Sequence, residues 1–258
     1  MNLDYKGIII HHTEEGQGNP IILLHGFLEN TTMWQHLVPT ISKTHKVITI
    51  DLLGHGQTGC LGYIHTMEAM AEAVDAVLSH LKIDTATFIG HSMGGYVALA
   101  YAELFPKKIN GLCLMNSSAL PDSEERQLNR DRAILAVKQN YKTFVSMSVA
   151  NLFASDNREK LKIEIEQVKT EALKTPLQGI IAALEGMKIR KNRVYLLHNT
   201  NFKKLMIIGR KDPVLEYDTL LEQTQNTMVE IVQFSDGHMS HIENMKELDY
   251  IIKRFIEK

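Results

Sequence analysis

The residues Phe88-Ile89-Gly90-His91-Ser92-Met93-Gly94-Gly95 place a serine between glycines two positions to either side. An apolar strand-like run precedes that serine and a helical periodicity follows it. In this context Gly-x-Ser-x-Gly suits a nucleophile. The serine occupies a strained turn with its hydroxyl exposed, and the flanking small residues let strand and helix approach closely. The helix N-terminus adds unpaired N–H groups and a positive dipole end beside the hydroxyl. The same five residues can also form a plain glycine-rich turn; the strand–turn–helix setting favours the nucleophile.

A serine hydroxyl needs a base within hydrogen-bond reach, and the base needs an acid to orient it. Of twelve histidines, His238 fits best, in the loop Ser235-Asp236-Gly237-His238 after the last strand-like run. Its rival His241 reads better as the start of the closing helix beside Glu243, while His25, His55 and His91 flank glycines and read as shaping a pocket. Asp212, in Gly209-Arg210-Lys211-Asp212-Pro213-Val214, is the preferred acid. Asp236 is weaker because an immediate neighbour in a loop rarely orients an imidazole. The position after the strand ending at Met115 holds Asn116-Ser117-Ser118, with Asp122 the nearest carboxylate. Donors for a developing oxyanion come from the backbone N–H of Met93 and from Phe27 in the turn His25-Gly26-Phe27. Leu28, His91 and Val214 are candidates to line the substrate pocket.

Elements of alternating type must hold these residues. Strand-like runs fall at 8–12, 20–25, 46–51, 86–90 and 111–115, and helical periodicity at 66–81 and 93–105. The runs Ile21-Ile22-Leu23-Leu24 and Leu112-Cys113-Leu114-Met115 are continuously apolar, as in strands buried on both faces. This predicts an α/β protein with a mostly parallel sheet. The runs 5–12 and 20–25, separated by Glu14-Glu15-Gly16-Gln17-Gly18-Asn19, suggest a hairpin at the start. From 121 to 198 the strand pattern stops. Helical segments are expected at 124–140, 141–153, 158–174 and 178–188, before strands resume at 204–209 and 228–234 and a helix closes the chain at 244–257. The expected organisation is a core of 1–120 and 199–258, with 121–198 inserted as a helical cap over the crevice at the strand ends.

The 258 residues carry 28 Lys+Arg against 30 Asp+Glu and are 44% hydrophobic, a balance that gives no reason to expect a nucleic-acid or anionic-membrane surface. The only early apolar run is short and no stretch reaches a membrane span, so a cytoplasmic protein is expected. Cys60 and Cys113 cannot form a metal cage by themselves, and Cys113 reads as a core residue.

Together, His25-Gly26-Phe27, Asp51-Leu52-Leu53-Gly54-His55-Gly56-Gln57-Thr58, the serine turn, and Asp212 followed by Gly237-His238 resemble the α/β-hydrolase superfamily over nearly the whole chain. The order Ser, Asp, His also fits. The resemblance implies a sheet of about eight strands with the first pair antiparallel, a helical cap after the sixth, and no cofactor or metal. It gives the 51–58 segment, with Thr58 where a serine is common, a structural role. Serine at 92 argues against the branches that use an aspartate nucleophile. The implied activity is cleavage of a small carboxylic ester or thioester. The alternatives are a carbon–carbon bond hydrolase or a menaquinone-pathway-type lyase, for which Arg126, Arg130 and Arg132 could hold carboxylates, and a hydrolase-like ligand receptor. Met147, Met187 and Phe27-Leu28 hint at an apolar acyl group.

Overall fold

In the computed structural model, which describes residues 1–258, successive side chains of the continuously buried apolar runs enter two different cores in turn. The strands are β1 (Asn2–Tyr5), β2 (Ile8–Glu15), β3 (Pro20–Leu24), β4 (Lys46–Ile50), β5 (Ala86–His91), β6 (Ile109–Met115), β7 (Lys203–Gly209) and β8 (Glu230–Phe234). Ile21, Leu23, Ile89, Cys113, Met115, Leu205 and Ile207 belong to the core shared with α1 (Val38–Ile41) and the closing helix α11 (Met245–Glu257). Ile22, Leu24, Phe88, Leu112, Leu114, Met206 and Ile208 belong to the other, shared with α2 (Met67–His80) and α3 (Met93–Leu104). The period-two exchange means that these strands are covered on both faces, which is why their sequences are apolar throughout. Each such large side chain contributes roughly 1.5–3 kcal/mol on leaving water.

The eight strands form one sheet in the order β1-β2-β4-β3-β5-β6-β7-β8. Pairings β1/β2 and β2/β4 are antiparallel, and all those from β4 to β8 are parallel. The expected opening hairpin is corrected here. It joins β1 to β2 through Lys6 and Gly7, both at positive φ, whereas β2 pairs with β4 and not with β3. β1 escaped the sequence reading because Asn2 and Asp4 interrupt any apolar pattern, so only its pairing marks it as a strand.

Between β6 and β7 the chain is helical: α4 (Glu124–Gln139), α5 (Tyr141–Ala150), α6 (Lys162–Ala172), α7 (Leu177–Lys188) and α8 (Tyr195–His198). Ser123 caps α4 by accepting from the N–H of Arg126, and α4 packs against α5 and α7. The segment expected to be helical from 158 begins only at Lys162, after a 3-10 turn at Ser155–Asn157. α9 (Tyr217–Glu222) and α10 (Ser240–Glu243) complete the elements. No helix is long and apolar enough to cross a membrane. Cys113 is buried and Cys60 half-buried, and neither forms a disulfide.

β3 has β4 on one side and β5 on the other, so the strand order reverses there. A crevice opens outside the carboxyl ends of strands at such a reversal. The loops leaving β3, β5, β7 and β8 carry the residues singled out from the sequence.

Candidate active site

Ser92 follows β5 directly, with φ +50° and ψ −113°, and α3 begins at the next residue. Such a conformation is costly for a residue with a Cβ and persists only where the surroundings enforce it. Gly94 and Gly90 do so by proximity. A Cβ on Gly94 would overlap the carbonyl oxygens of Leu24 and His25, and one on Gly90 would strike the backbone of Gly94. Gly94→Ala should therefore lower stability by about 1–3 kcal/mol through overpacking against β3, read as a fall in the denaturant midpoint. A midpoint equal to the parent's would show that the contact between β3 and α3 is loose.

The hydroxyl of Ser92 lies 2.9 Å from Nε2 of His238, and Nδ1 of His238 lies 2.7 Å from Oδ2 of Asp212. A carboxylate only accepts, so Nδ1 carries the hydrogen and Nε2 is left to accept the serine proton. Asp212 is fully enclosed. Its Oδ1 accepts from the N–H groups of Val214 (2.8 Å) and Leu215 (3.0 Å), and its Oδ2 also accepts from Nδ2 of Asn116 (3.2 Å). Burial alone would raise its pKa, but the His238 charge and hydrogen bond and the two N–H groups more than offset this, and the carboxyl is held below its ordinary value.

Asn116 is a residue whose part the sequence did not disclose. The position after β6 supplies no acid. Instead Asn116, at φ +45°, donates to Asp212 and to the carbonyl of Gly237, while Ser240 donates to its Oδ1. Asp236 is not a partner of His238; it accepts from Asn157, Asn244 and Ser235.

The backbone N–H groups of Phe27 and Met93 have no acceptor within the chain. That of Met93 belongs to the first residue of α3, where the helix dipole is positive. Both residues flank Ser92's surroundings, and Phe27 lines the same cavity as Ser92 and His238. This cavity has a volume of about 110 Å³, and Leu28, Val214, Tyr96, Leu152 and Met187 supply much of its wall. Leu28 and Val214 both line it. Met147 does not: it is largely exposed and absent from the cavity.

His91 borders the cavity, but its ring is buried and both nitrogens are engaged, Nδ1 with Glu29 at 2.7 Å and Nε2 with the carbonyl of His238 at 2.9 Å. His241 contacts neither Ser92 nor Asp212; its Nε2 is 3.8 Å from Glu29. His25 accepts from the N–H of Leu52 and packs against His55, which packs in turn against Phe27. In the 51–58 segment Asp51 accepts from the N–H groups of Thr31 and Gln57, and Thr58 accepts from that of His11, so the segment braces the neighbouring loops.

Arg126 and Arg130 line the cavity, whereas Arg132 is exposed and donates to Asn129. Both cavity arginines and Arg190 pair with the fully enclosed carboxylate of Asp122, and Arg190 also stacks 4.2 Å over the ring of Tyr96. Three guanidinium groups around one carboxylate leave an excess of positive charge on this wall. A larger groove of about 850 Å³ lies beyond Leu28 and Glu29, between the 30–36 segment and α6, and does not contain Ser92. Glu29, His91 and His241 are close enough for a metal, their donor atoms lying within 4.8 Å of one another. The His91–Glu29 pair is at hydrogen-bond distance, however, so its facing atoms are already spent on each other.

A family model described as the alpha/beta hydrolase fold matches residues 19–245. The acetyltransferase component of an acetoin cleaving system from Pseudomonas putida is 25% identical over 93% of this chain, which spans 64% of that protein's length. The 3-oxoadipate enol-lactonase 2 of Acinetobacter baylyi is 23% identical over 99% of this chain and 96% of its own. Among solved structures, a thermophilic esterase from Thermogutta terrifontis with malate bound superposes with a TM-score of 0.92 at 27% identity, covering 99% of this chain and 96% of that one. The enol-lactonase of Burkholderia xenovorans LB400 does so with a TM-score of 0.92 at 22% identity over the full length of both, a likeness of fold.

Proposed function

The chain belongs to the alpha/beta hydrolase fold family, and on that premise we propose that it is a serine hydrolase cleaving a small carboxylic ester or thioester. The observation that carries this reading is the hydrogen-bonded sequence Ser92–His238–Asp212 beside two unpaired backbone N–H groups. Ser92 Oγ attacks the carbonyl carbon as its proton passes to Nε2 of His238. The N–H groups of Phe27 and Met93 hold the oxyanion, and Asp212 steadies the imidazolium. His238 then returns the proton to the departing alcohol or thiol. Water repeats the sequence on the acyl-enzyme and frees Ser92. Residues 121–198 act as a cap, since Arg126, Arg130, Ser148, Leu152 and Met187 all reach the cavity from that block. The substrate is a freely diffusing small molecule, and two unpaired cysteines accord with a cytoplasmic setting.

A second reading, cleavage of a carbon–carbon bond or lyase chemistry on a carboxylate-bearing substrate, is favoured by the arginine excess at Asp122. Chromogenic esters of increasing acyl length, each with a neutral or a carboxylate terminus, separate the two. Turnover with a length optimum at short chains supports the ester reading. Absence of turnover on every ester by the folded protein transfers the assignment to carbon–carbon substrates. In Arg126→Ala, KM for the carboxylate-ended esters should rise about tenfold, the worth of one charged hydrogen bond, with the neutral esters changed less than about twofold. Equal effects on both series would show that Arg126 is only a partner of Asp122.

A further inference from the structure

Glu29 is buried in the loop after β3 and has no place in the Ser92–His238–Asp212 chain. Its Oε2 accepts from the N–H of Gly26 at 2.6 Å and faces Nδ1 of His91 at 2.7 Å. The other ring nitrogen of His91, Nε2, is 2.9 Å from the carbonyl oxygen of His238. The carbonyl of His238 only accepts, so Nε2 of His91 carries a hydrogen, and an ionised Glu29 requires a second hydrogen on Nδ1. The hydrogen between Oε2 and Nδ1 belongs either to a neutral acid donating to a neutral ring or to an imidazolium donating to a carboxylate. The N–H of Gly26 donated to the same Oε2 favours the ionised acid, and with it the pair of carboxylate and imidazolium.

The two ends of this pair matter. Gly26 immediately precedes Phe27, whose N–H is one oxyanion donor, and the carbonyl at the other end belongs to the general base itself. Leu28, next in the turn, is held at φ +63°, a conformation that needs enforcement. We propose that Glu29 and His91 form a buried charged clamp that sets the position of the Phe27 turn relative to His238, making them positioning residues for acyl transfer. This rests on the serine-hydrolase reading above.

The groups facing His91 are Glu29 and His25 from the loop after β3, Asp212 from the loop after β7, His238 from the loop after β8, and His241 on α10. Burial works against charge on His91, yet Glu29's charge and hydrogen bond outweigh it and raise its pKa. Burial likewise opposes the carboxylate of Glu29, but His91 brings it down to about 2. His241, pushed down to about 4 by burial, stays neutral and adds no competing positive charge. A raised histidine stabilises fully below its unfolded value and loses that contribution as pH climbs through the folded one. A depressed carboxyl does so above its unfolded value and loses it as pH falls through about 2. The clamp thus keeps its charge to higher pH than a free imidazole would, and loses it on the alkaline side as His91 titrates.

The test has two arms. In the first, nitrogen-15-labelled histidine in wild type and in Ser92→Ala is read by NMR without substrate. His91 is expected to show hydrogens on both ring nitrogens at neutral pH, and a neutral ring there would overturn the proposal even if no variant folds. In the second, Ser92 is labelled with a fluorophosphonate: the Oγ–P bond forms, fluoride leaves, and the serine proton goes to His238. Glu29→Gln should slow labelling and lower kcat about tenfold or more, less than the roughly 100-fold lost with a donor itself, with KM changed less than about threefold. The wild-type advantage should shrink as pH rises through the titration of His91. A Glu29→Gln protein that is labelled as fast as wild type refutes the clamp alone. A wild type that is not labelled at Ser92 refutes the hydrolase reading, and the clamp with it.

Discussion

Ser92→Ala should reduce ester turnover by about four to six orders of magnitude while leaving the fold and its melting temperature nearly unchanged. On the proposed mechanism the loss is that large because the hydroxyl is the atom that bonds to the substrate carbonyl; removing it leaves only the proposed oxyanion donors and binding to assist water. The fold survives because every other bond at this position is made by the backbone. The N–H of Ser92 donates to Met115, and its carbonyl accepts from Gly95, Tyr96 and the hydroxyl of Ser117. Alanine retains the Cβ and so inherits the same strain at φ +50°. Steady-state rates on the best ester of the series, with circular dichroism melts of both proteins, check both halves. Wild-type turnover in a folded Ser92→Ala protein would remove Ser92 from the mechanism.

Asp212→Asn should lower kcat by about ten-thousandfold. An amide presents a donor where His238 Nδ1–H now finds an acceptor, so the imidazole adopts the other tautomer. Nε2 then carries a hydrogen and cannot take the proton of Ser92. The same change unsettles the surroundings, because four donors converge on the two oxygens of Asp212: Val214, Leu215, Asn116 and His238. One amide oxygen cannot serve all of them, and a buried donor left unpaired costs about 1–3 kcal/mol. The pH dependence has a definite sign. Burial raises the carboxyl, but His238 and the two backbone N–H groups take it below its ordinary value. The carboxylate therefore contributes stability in full above its unfolded pKa, and that contribution is lost as pH falls through the lowered folded value. Asp212→Asn should flatten the acid-side decline in melting temperature; a slope identical to wild type would mean that other carboxylates govern it.

The contact between Glu29 and His91 spans 62 positions in the chain, and that between Asn116 and Asp212 spans 96. No local pattern encodes either. Each exists because β3 lies beside β5, or β6 beside β7, which places the loops at their carboxyl ends next to one another. The arginines teach the same lesson. Arg126 and Arg130 stand out in the sequence as charges on a helix, but their common partner Asp122 and the third guanidinium of Arg190 emerge only once α4 and α7 pack together. Met147 illustrates the reverse error, since an apolar residue in a helix of mixed composition carries no statement of which way it faces.

By itself the sequence determined the alternation of strands and helices, the helical block after β6 and the strained serine turn, and it singled out His238 and Asp212, of which the first lies against Ser92 and the second against the first. Those features are written in short-range physics: period-two apolar runs, helical spacing, and glycines where any Cβ would collide with a neighbouring backbone. The tertiary structure alone decided that β1 is a strand, that β2 pairs with β4, that Asn116 donates to Asp212, and that His91 bridges Glu29 and the carbonyl of His238. These depend on strand order and on hydrogen bonds between distant loops, whose partners are chosen by how the sheet is assembled rather than by the residues beside them in the chain.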